Sequence, residues 1–292
     1  MATRAPAARA AARRRARTDR RGWLLSLPSI TVMILLTVVP LISVMVGAFS
    51  RAGWEKLETL FATPGFDKTL SNTVIWVAFG TVLTLVIGVV AAMALQHPGV
   101  RWPGLWRSLL LIPWITPTVV AATAWKWFYS RDYGMLNSLL QSVGLVEEPV
   151  SWLTDTSIAL YAVAMVQVWA TFSFVMLLVS AGLQGIPAEL YEAARMDGAS
   201  ALRSFWSITI PSLKDILFIV ALIVTVWMMN SFTKVWIMTK GGPAGATNIL
   251  PVQLYRYFLF GDTTAIYVLA AIQLLFSMTV AALYVQRTRK EA

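Results

Sequence analysis

The sequence predicts an all-α membrane protein with six transmembrane helices. Of its 292 residues, 58% are apolar and only 13% are charged, whereas about a quarter of the residues in an ordinary soluble domain carry a charge. The mean hydropathy is +0.67, and long apolar runs alternate with short polar segments, which is typical of a polytopic membrane protein. The chain has no cysteine, so disulfides and thiolate metal sites are excluded.

Six runs lack Asp, Glu, Lys and Arg, and each can hold a helix of the roughly 20 residues that cross a bilayer. They are residues 22–50, 69–100, 108–125, 156–188, 216–233 and 263–286. The third and fifth runs are short, so we expect their helices to extend past Lys126 and Lys234. Pro113 and Pro117 should kink the third span, because proline donates no backbone hydrogen bond. The fourth run exceeds one span, and its tail from about Gly182 should leave the membrane.

The distribution of positive charge predicts that both termini are cytoplasmic. Six spans put both termini on one side, which then holds 16 Lys/Arg residues against eight on the other, and basic residues favour the cytoplasm. Residues 1–21 carry eight of these and are expected to be a disordered Arg/Ala-rich tail that touches anionic lipid; the alternative is the n-region of a signal peptide. The net charge of +10 therefore indicates topology rather than nucleic-acid binding. The rest divides into a first helix at 22–50, a core at 69–286 and a C-terminal tail at 287–292.

One cytoplasmic segment, residues 186–212, is charged and prone to form helices. Glu189 and Glu192 favour the positive N-terminal end of a short helix. Asp197-Gly198 should end that helix, because glycine accepts the left-handed conformation that follows a helix C-terminus.

A second short helix is expected to follow in the same segment. It should begin after Ser200, which can cap it, and end at about Thr209, before Pro211. A helix lying on lipid is the alternative interpretation. Arg195 and Arg203 are matched by acidic residues, so a protein-docking surface fits better.

The same segment resembles the EAA loop of importer-type ABC permeases. That family's pattern is Glu-Ala-Ala, three residues, Gly, nine residues, and Ile-x-Leu-Pro. The matching residues are Glu192, Ala193, Ala194, Gly198, Ile208 and Pro211, with Ile210 in place of Leu. The resemblance implies a MetI-like ABC importer permease fold and an ATPase-coupling role for these residues and Asp197. Glu192 would pair with a basic group in a cleft of the ATPase subunit, and Gly198 would allow a sharp turn against it.

A second segment, residues 238–260, resembles the outer loop before the last span of maltose- and glycerol-phosphate-type carbohydrate permeases, the MalF-like subgroup. Their Thr-x-Gly-Gly-Pro pattern is followed by Thr, Leu, Tyr and Phe. The matching residues are Thr239, Gly241, Gly242, Pro243, Thr247, Leu254, Tyr255 and Phe260. The resemblance implies the plasma membrane of a bacterium, a second homologous permease, two ABC ATPase subunits and an extracellular solute-binding protein.

The same resemblance suggests where a sugar would be bound. Thr171, Phe174, Met229, Asn230 and Thr233 fall where maltose-type permeases contact sugar within the membrane. Polar residues in a span also join helices, which is the alternative role. Lys126 and Lys234 are expected to reach the outer interface with their flexible side chains, although such a pair could also attract phosphate, as in glycerol-phosphate transport.

No feature of the sequence predicts an enzyme. A phosphate-binding P-loop needs Gly-Lys-Ser/Thr after its glycines, and Lys240 instead precedes Gly241 and Gly242. We therefore expect no catalytic residue, metal or cofactor in this chain, with ATP and Mg held by the partner ATPases. His97, the one histidine, is interpreted as structural. The alternatives are an ABC importer for other small solutes and a secondary carrier that works without an ATPase.

Overall fold

The computed structural model describes the backbone of residues 25–291 and the side chains of residues 25–283 and 286. The tail at 1–21 and the side chains of the basic C-terminal residues lie outside this part, so the expectations about them stay predictions. The described residues form helices and no strand. In chain order these are α1 (Leu25–Ala48), α2 (Arg51–Ala62), α3 (Phe66–Gln96), α4 (Pro103–Ile115), α5 (Thr118–Phe128), α6 (Met135–Ser142), α7 (Ala159–Gln184), α8 (Ala188–Met196), α9 (Ala201–Met229), α10 (Thr233–Thr239), α11 (Leu250–Leu259) and α12 (Thr263–Glu291).

The helices account for the six predicted spans when one bent pair of helices is counted as a span. In the described part of the chain, α1, α3, α7, α9 and α12 are each long and apolar enough to cross a membrane, and the bent pair α4–α5, counted as one span, brings the number to six. Most large apolar side chains of α1 are exposed within this chain, and none of them is buried. Such a surface suits lipid or another membrane subunit.

The predicted kink in the third span is a break with a bend of 96° between α4 and α5. Pro113 lies inside α4, and Thr116 has an extended backbone with φ −69° and ψ 127°. The residue before a proline is pushed out of the helical conformation by the proline ring, so Pro117 accounts for the end of α4. The span resumes as α5, which runs past Lys126 to Phe128 as expected.

The core lies where α7 packs between α3 and its neighbours. Gly88 of α3 is close to α7, because a Cβ placed on it would lie 2.4 Å from the Cβ of Val175. Trp76 of α3 is fully buried, and its Nε1–H donates to the carbonyl oxygen of Met228 at 3.0 Å. These contacts hold α3, α7 and α9 together around small and β-branched side chains.

Two expectations about the fifth span are wrong. The helix that begins after Ser200 does not end at Thr209 but continues through Pro211 as α9. A π-helical turn at Phe205–Thr209 widens the helix before the proline, and this relieves the clash that a proline ring makes with the preceding turn. At its other end α9 stops at Met229 instead of running past Lys234.

Lys234 also differs from its predicted position. It lies on the separate helix α10 and is only 6% exposed, so it does not extend to the outer interface. Lys126 is exposed, and its Nζ donates to the carbonyl oxygen of Ile237 at 3.4 Å. The two lysines therefore do not form the exposed pair that would attract phosphate. His97 accepts a hydrogen bond at Nδ1 from the backbone N–H of Gly99, at 3.1 Å, which agrees with a structural role.

Candidate functional site

The predicted helix and glycine turn are present at one end of the bundle. Helix α8 ends with hydrogen bonds from Gly198 N–H to the Arg195 oxygen at 3.0 Å and from Ala199 N–H to the Ala194 oxygen at 2.9 Å. Gly198 has a φ of +74°. This pair of bonds defines a Schellman ending, which requires a left-handed residue after the helix and so favours glycine. We call residues 185–209 the α8 module.

The α8 module presents a partly apolar surface that no other described residue covers. Four large side chains on it are between 47% and 89% exposed, namely Leu190, Met196, Leu202 and Trp206. The charged groups of Glu192 and Asp197 are exposed beside them. An exposed apolar patch with a polar rim is typical of a surface that binds another protein.

A side-chain contact joins α8 to the helix of the fifth span. The hydroxyl groups of Tyr191 on α8 and Thr209 on α9 lie 2.9 Å apart, and Thr209 is buried. Next to the α8 module, Gln96 at the end of α3 donates to the Ser180 carbonyl oxygen of α7 at 2.9 Å, which ties these two spans to each other. A displacement of α8 would therefore reach α9 directly through Tyr191.

The predicted coupling residues occupy this module and the start of the fifth span. Five are exposed, namely Glu192, Ala193, Asp197, Gly198 and Pro211. Ala194 and Ile208 are half-buried. The exposed residues are positioned to touch a partner, and their role in coupling stays a prediction.

A second polar region surrounds the break between α9 and α10, beside Gln167 of α7. The Asn230 Oδ1 accepts from Gln273 Nε2 at 2.9 Å, and Asn230 Nδ2 donates to the Val226 oxygen at 2.8 Å. Ser231 Oγ donates to Gln167 Oε1 at 3.2 Å. The fourth, fifth and sixth spans thus meet through amide and hydroxyl groups. Asn230 is exposed, and an amide with these partners retains one N–H and one lone pair for a ligand.

Aromatic rings lie beside this break. The ring centre of Phe174 is 4.7 Å from that of Trp227 and 5.7 Å from that of Trp114. Both tryptophans are about 40% exposed. We call Trp114, Phe174, Trp227 and Asn230 the aromatic–amide face. Aromatic surfaces combined with amide groups suit a ligand that has both C–H faces and hydroxyls.

The five residues predicted to contact sugar do not all reach this face. Phe174 and Asn230 belong to it, and Thr233 lies half-buried at the first position of α10. Thr171 and Met229 are at most 3% exposed. The Thr171 hydroxyl donates to the Gln167 carbonyl oxygen at 2.8 Å. Contact between these two residues and a substrate stays a prediction that requires the spans to move apart.

Two residues of the region were not predicted from the sequence. Trp114 reaches Phe174 because α4 packs against α7, and Gln273 reaches Asn230 from α12. A role for Gln273 could have been predicted from the sequence, since an isolated amide within an apolar span usually has a hydrogen-bonding partner. Among the described residues, no group of three or more His, Asp or Glu side chains is arranged to hold a metal ion.

Comparisons with known proteins agree on one family. Residues 84–290 match the model of the binding-protein-dependent transport system inner membrane component. The trehalose/maltose transport system permease protein MalF of Thermococcus litoralis is 33% identical over 92% of this chain and 95% of its own length. The sulfoquinovosyl glycerol transport system permease protein SmoG of Agrobacterium fabrum is 33% identical over 81% of this chain and 76% of its own length.

The fold is also found in a solved structure. A chain in the crystal structure of a bacterial ABC transporter involved in the import of the acidic polysaccharide alginate superposes with a TM-score of 0.78. The alignment covers 95% of this chain and 99% of that chain at 20% identity, so it carries information on the fold alone. Together with the matched family model and the apolar spans, it leads to one conclusion: the chain belongs to the family of binding-protein-dependent transport system inner membrane components.

Proposed function

We propose that the chain is one permease subunit of an ATP-driven ABC importer for a sugar or related carbohydrate. It works with a second permease, two ATPase subunits and an extracellular binding protein that delivers the sugar. The chain itself holds no catalytic residue and no cofactor; ATP and Mg belong to the ATPases. Both termini face the cytoplasm of a bacterium, in keeping with the bias of basic residues.

The exposed α8 module is the observation that carries this proposal. It lies at the end of the spans that the charge bias assigns to the cytoplasm, and its apolar patch has no partner within the described chain. A permease without its own nucleotide site needs such a contact to receive work from ATP. Glu192 would pair there with a basic group of the ATPase, and the contact from Tyr191 to Thr209 would pass the motion to the fifth span.

A carbohydrate substrate is supported by the aromatic–amide face and by the relatives. The two relatives carry the names of a trehalose/maltose and a sulfoquinovosyl glycerol permease. Trp114, Phe174 and Trp227 supply flat apolar surfaces, and Asn230 with Gln273 supplies hydrogen-bonding groups. Ligand sites combine an apolar lining with a few placed polar groups in this manner.

The test is uptake by the complete complex in liposomes. The tagged chain is purified with the subunits that accompany it, and uptake of labelled maltose and trehalose is measured with and without ATP and binding protein. We expect ATP-dependent uptake. Losing an aromatic ring at a central binding position costs on the order of 2 kcal/mol of binding free energy, so Trp227→Ala should raise the sugar concentration needed for half-maximal uptake roughly thirtyfold.

Trp106→Ala is the matched control, because Trp106 is also exposed but lies about two helical turns before Trp114 on α4 and does not belong to the aromatic–amide face. It should transport as the unsubstituted protein does. Uptake by the chain alone, driven by an ion gradient, would contradict the ABC assignment. Equal effects of Trp227→Ala and Trp106→Ala would contradict the sugar site.

A further inference from the structure

A small polar cavity lies at the opposite end of the bundle from the α8 module. It has a volume of about 280 Å³ and is bounded by the start of α3, the glycine-rich loop after α10, and α11. This volume is just below the range of roughly 300–1,000 Å³ that is typical of ligand sites, so the cavity suits a small molecule no larger than one monosaccharide. It is separate from the aromatic–amide face and shares no residue with it.

The walls of the cavity are fixed by hydrogen bonds. Asn72 Nδ2 donates to the carbonyl oxygens of Gly245, at 3.0 Å, and Asn248, at 3.2 Å. Thr73 Oγ1 accepts from the Leu250 N–H at 2.9 Å. The glycine-rich loop is therefore tied to α3, and the groups that line the cavity are held in place before any ligand enters.

One lining group has no partner. Asn248 is 5% exposed, and its Nδ2 donates to Thr69 Oγ1 at 2.9 Å and to Gln253 Oε1 at 2.6 Å. Its Oδ1 is buried and accepts no hydrogen bond from the described residues. A buried acceptor left unsatisfied is costly, so the cavity is completed by a molecule that donates a hydrogen bond, such as a hydroxyl.

Two cations line the same cavity. Lys68 Nζ donates to the Ala244 carbonyl oxygen at 3.2 Å, and Arg256 Nη2 donates to the Lys240 carbonyl oxygen at 2.8 Å. Within the described part of the chain neither forms an ion pair with a carboxylate. Both ammonium and guanidinium groups have further donors, and they favour a negatively charged ligand.

The unpaired acceptor and one of the cations converge on the same space. A Cβ built on Gly241, whose φ is +83°, would lie 3.1 Å from each of Arg256 Nη2, Asn248 Oδ1 and Val252 Cγ1. The guanidinium and the unpaired amide oxygen therefore lie close together beside this glycine. We propose that this cavity is a second binding site, which takes a monosaccharide bearing a carboxylate: Arg256 and Lys68 bind the carboxylate, and Asn248 Oδ1 accepts a hydrogen bond from a hydroxyl. This site does not depend on the transport function proposed above.

The test is calorimetric titration of the full chain in lipid nanodiscs with D-glucuronate, D-glucose and acetate. We expect saturable binding of glucuronate, and binding at least about tenfold weaker for glucose, which lacks the charge, and for acetate, which lacks the hydroxyls. Lys68→Gln and Arg256→Gln should each weaken glucuronate binding about tenfold, as expected for the loss of a charged hydrogen bond. Arg256→Lys should bind glucuronate more tightly than Arg256→Gln does, because lysine keeps the positive charge.

Lys126→Gln is the matched control, because Lys126 is also an exposed lysine that donates to a backbone carbonyl oxygen but lies outside this cavity. Its glucuronate affinity should be unchanged. Absence of saturable glucuronate binding would overturn the proposal, as would equal affinity for acetate. An equal loss in Lys126→Gln and Lys68→Gln would show general charge attraction instead of a site, and would overturn it as well.

Discussion

Substitution of Gly198 separates the strain of the glycine turn from its role in docking. The Gly198 φ is +74°, and no heavy atom lies within 4 Å of the place where a Cβ would stand. A side chain there meets no clash within the chain, so the cost of Gly198→Ala is that of a left-handed L-residue, about 1–2 kcal/mol. A change of that size lowers the population of the native turn about 5- to 30-fold relative to a competing conformation of the same residues.

Gly144 provides a matched position. Its φ is +71°, and its Cβ position is equally open, but it follows α6 at the other end of the bundle. Gly144→Ala therefore carries the same backbone strain without touching the α8 module. The two variants should reach the membrane in equal amounts and unfold at similar temperatures.

The assay compares ATPase binding and ATP-driven uptake for the two alanine variants. We expect Gly198→Ala to weaken ATPase binding about 5- to 30-fold and to reduce uptake accordingly, while Gly144→Ala changes neither. Gly198→Asp should uncouple transport while the protein remains in the membrane, since it adds a negative charge at the contact. If Gly198→Ala bound the ATPase and imported as well as Gly144→Ala, the assignment of this turn to coupling would be refuted.

Two further predictions concern stability, each measured by thermal unfolding of the purified chain. Gly88→Ala places a methyl group 2.4 Å from the Val175 Cβ and should destabilise the folded protein by about 1–3 kcal/mol. Gly104→Ala is the control, because its Cβ position is open, and it should leave the stability unchanged. Equal unfolding temperatures of the two variants would refute the close packing of α3 on α7. Burial alone raises the pKa of Asp262, but hydrogen bonds from Lys56 Nζ, at 2.5 Å, and from a backbone N–H hold that pKa below its ordinary value. The Lys56–Asp262 pair thus stabilises the folded protein at pH values above the ordinary aspartate pKa of about 4, and this stabilisation should disappear as pH falls through the lowered pKa. Asp262→Asn should remove that part of the loss of stability in acid. An unchanged dependence of the unfolding temperature on pH in this variant would contradict the prediction.

Several structural features were predictable because they depend on local chemistry. The spans follow from uninterrupted apolar runs, and the break at Pro117 follows from the missing donor and bulky ring of proline. The end of α8 at Asp197-Gly198 was predicted because a Schellman turn is made within a few consecutive residues. In each case the residues that cause the feature are the residues that form it.

Two predictions were wrong because they considered one local signal without the geometry and packing around it. The sequence favours an end to the second cytoplasmic helix before Pro211, yet the widened turn at Phe205–Thr209 lets the helix continue. Leu213, on the continuing helix, is fully buried. Lys234 follows an apolar run and was expected at the interface, but packing of α10 buries it.

By itself the sequence determined a six-span membrane protein with a helix–glycine–helix segment and a family resemblance that carries its proposed function. Only the tertiary structure decided which polar and aromatic groups meet. Gln273 hydrogen-bonds to Asn230 across 43 positions of the chain. Lys68 and Arg256 line one cavity although they are far apart in the sequence, one at the start of α3 and the other on α11. Periodicity and local propensity act over a few residues, whereas these contacts depend on how whole helices pack, and the packing of several spans is not encoded in any one of them.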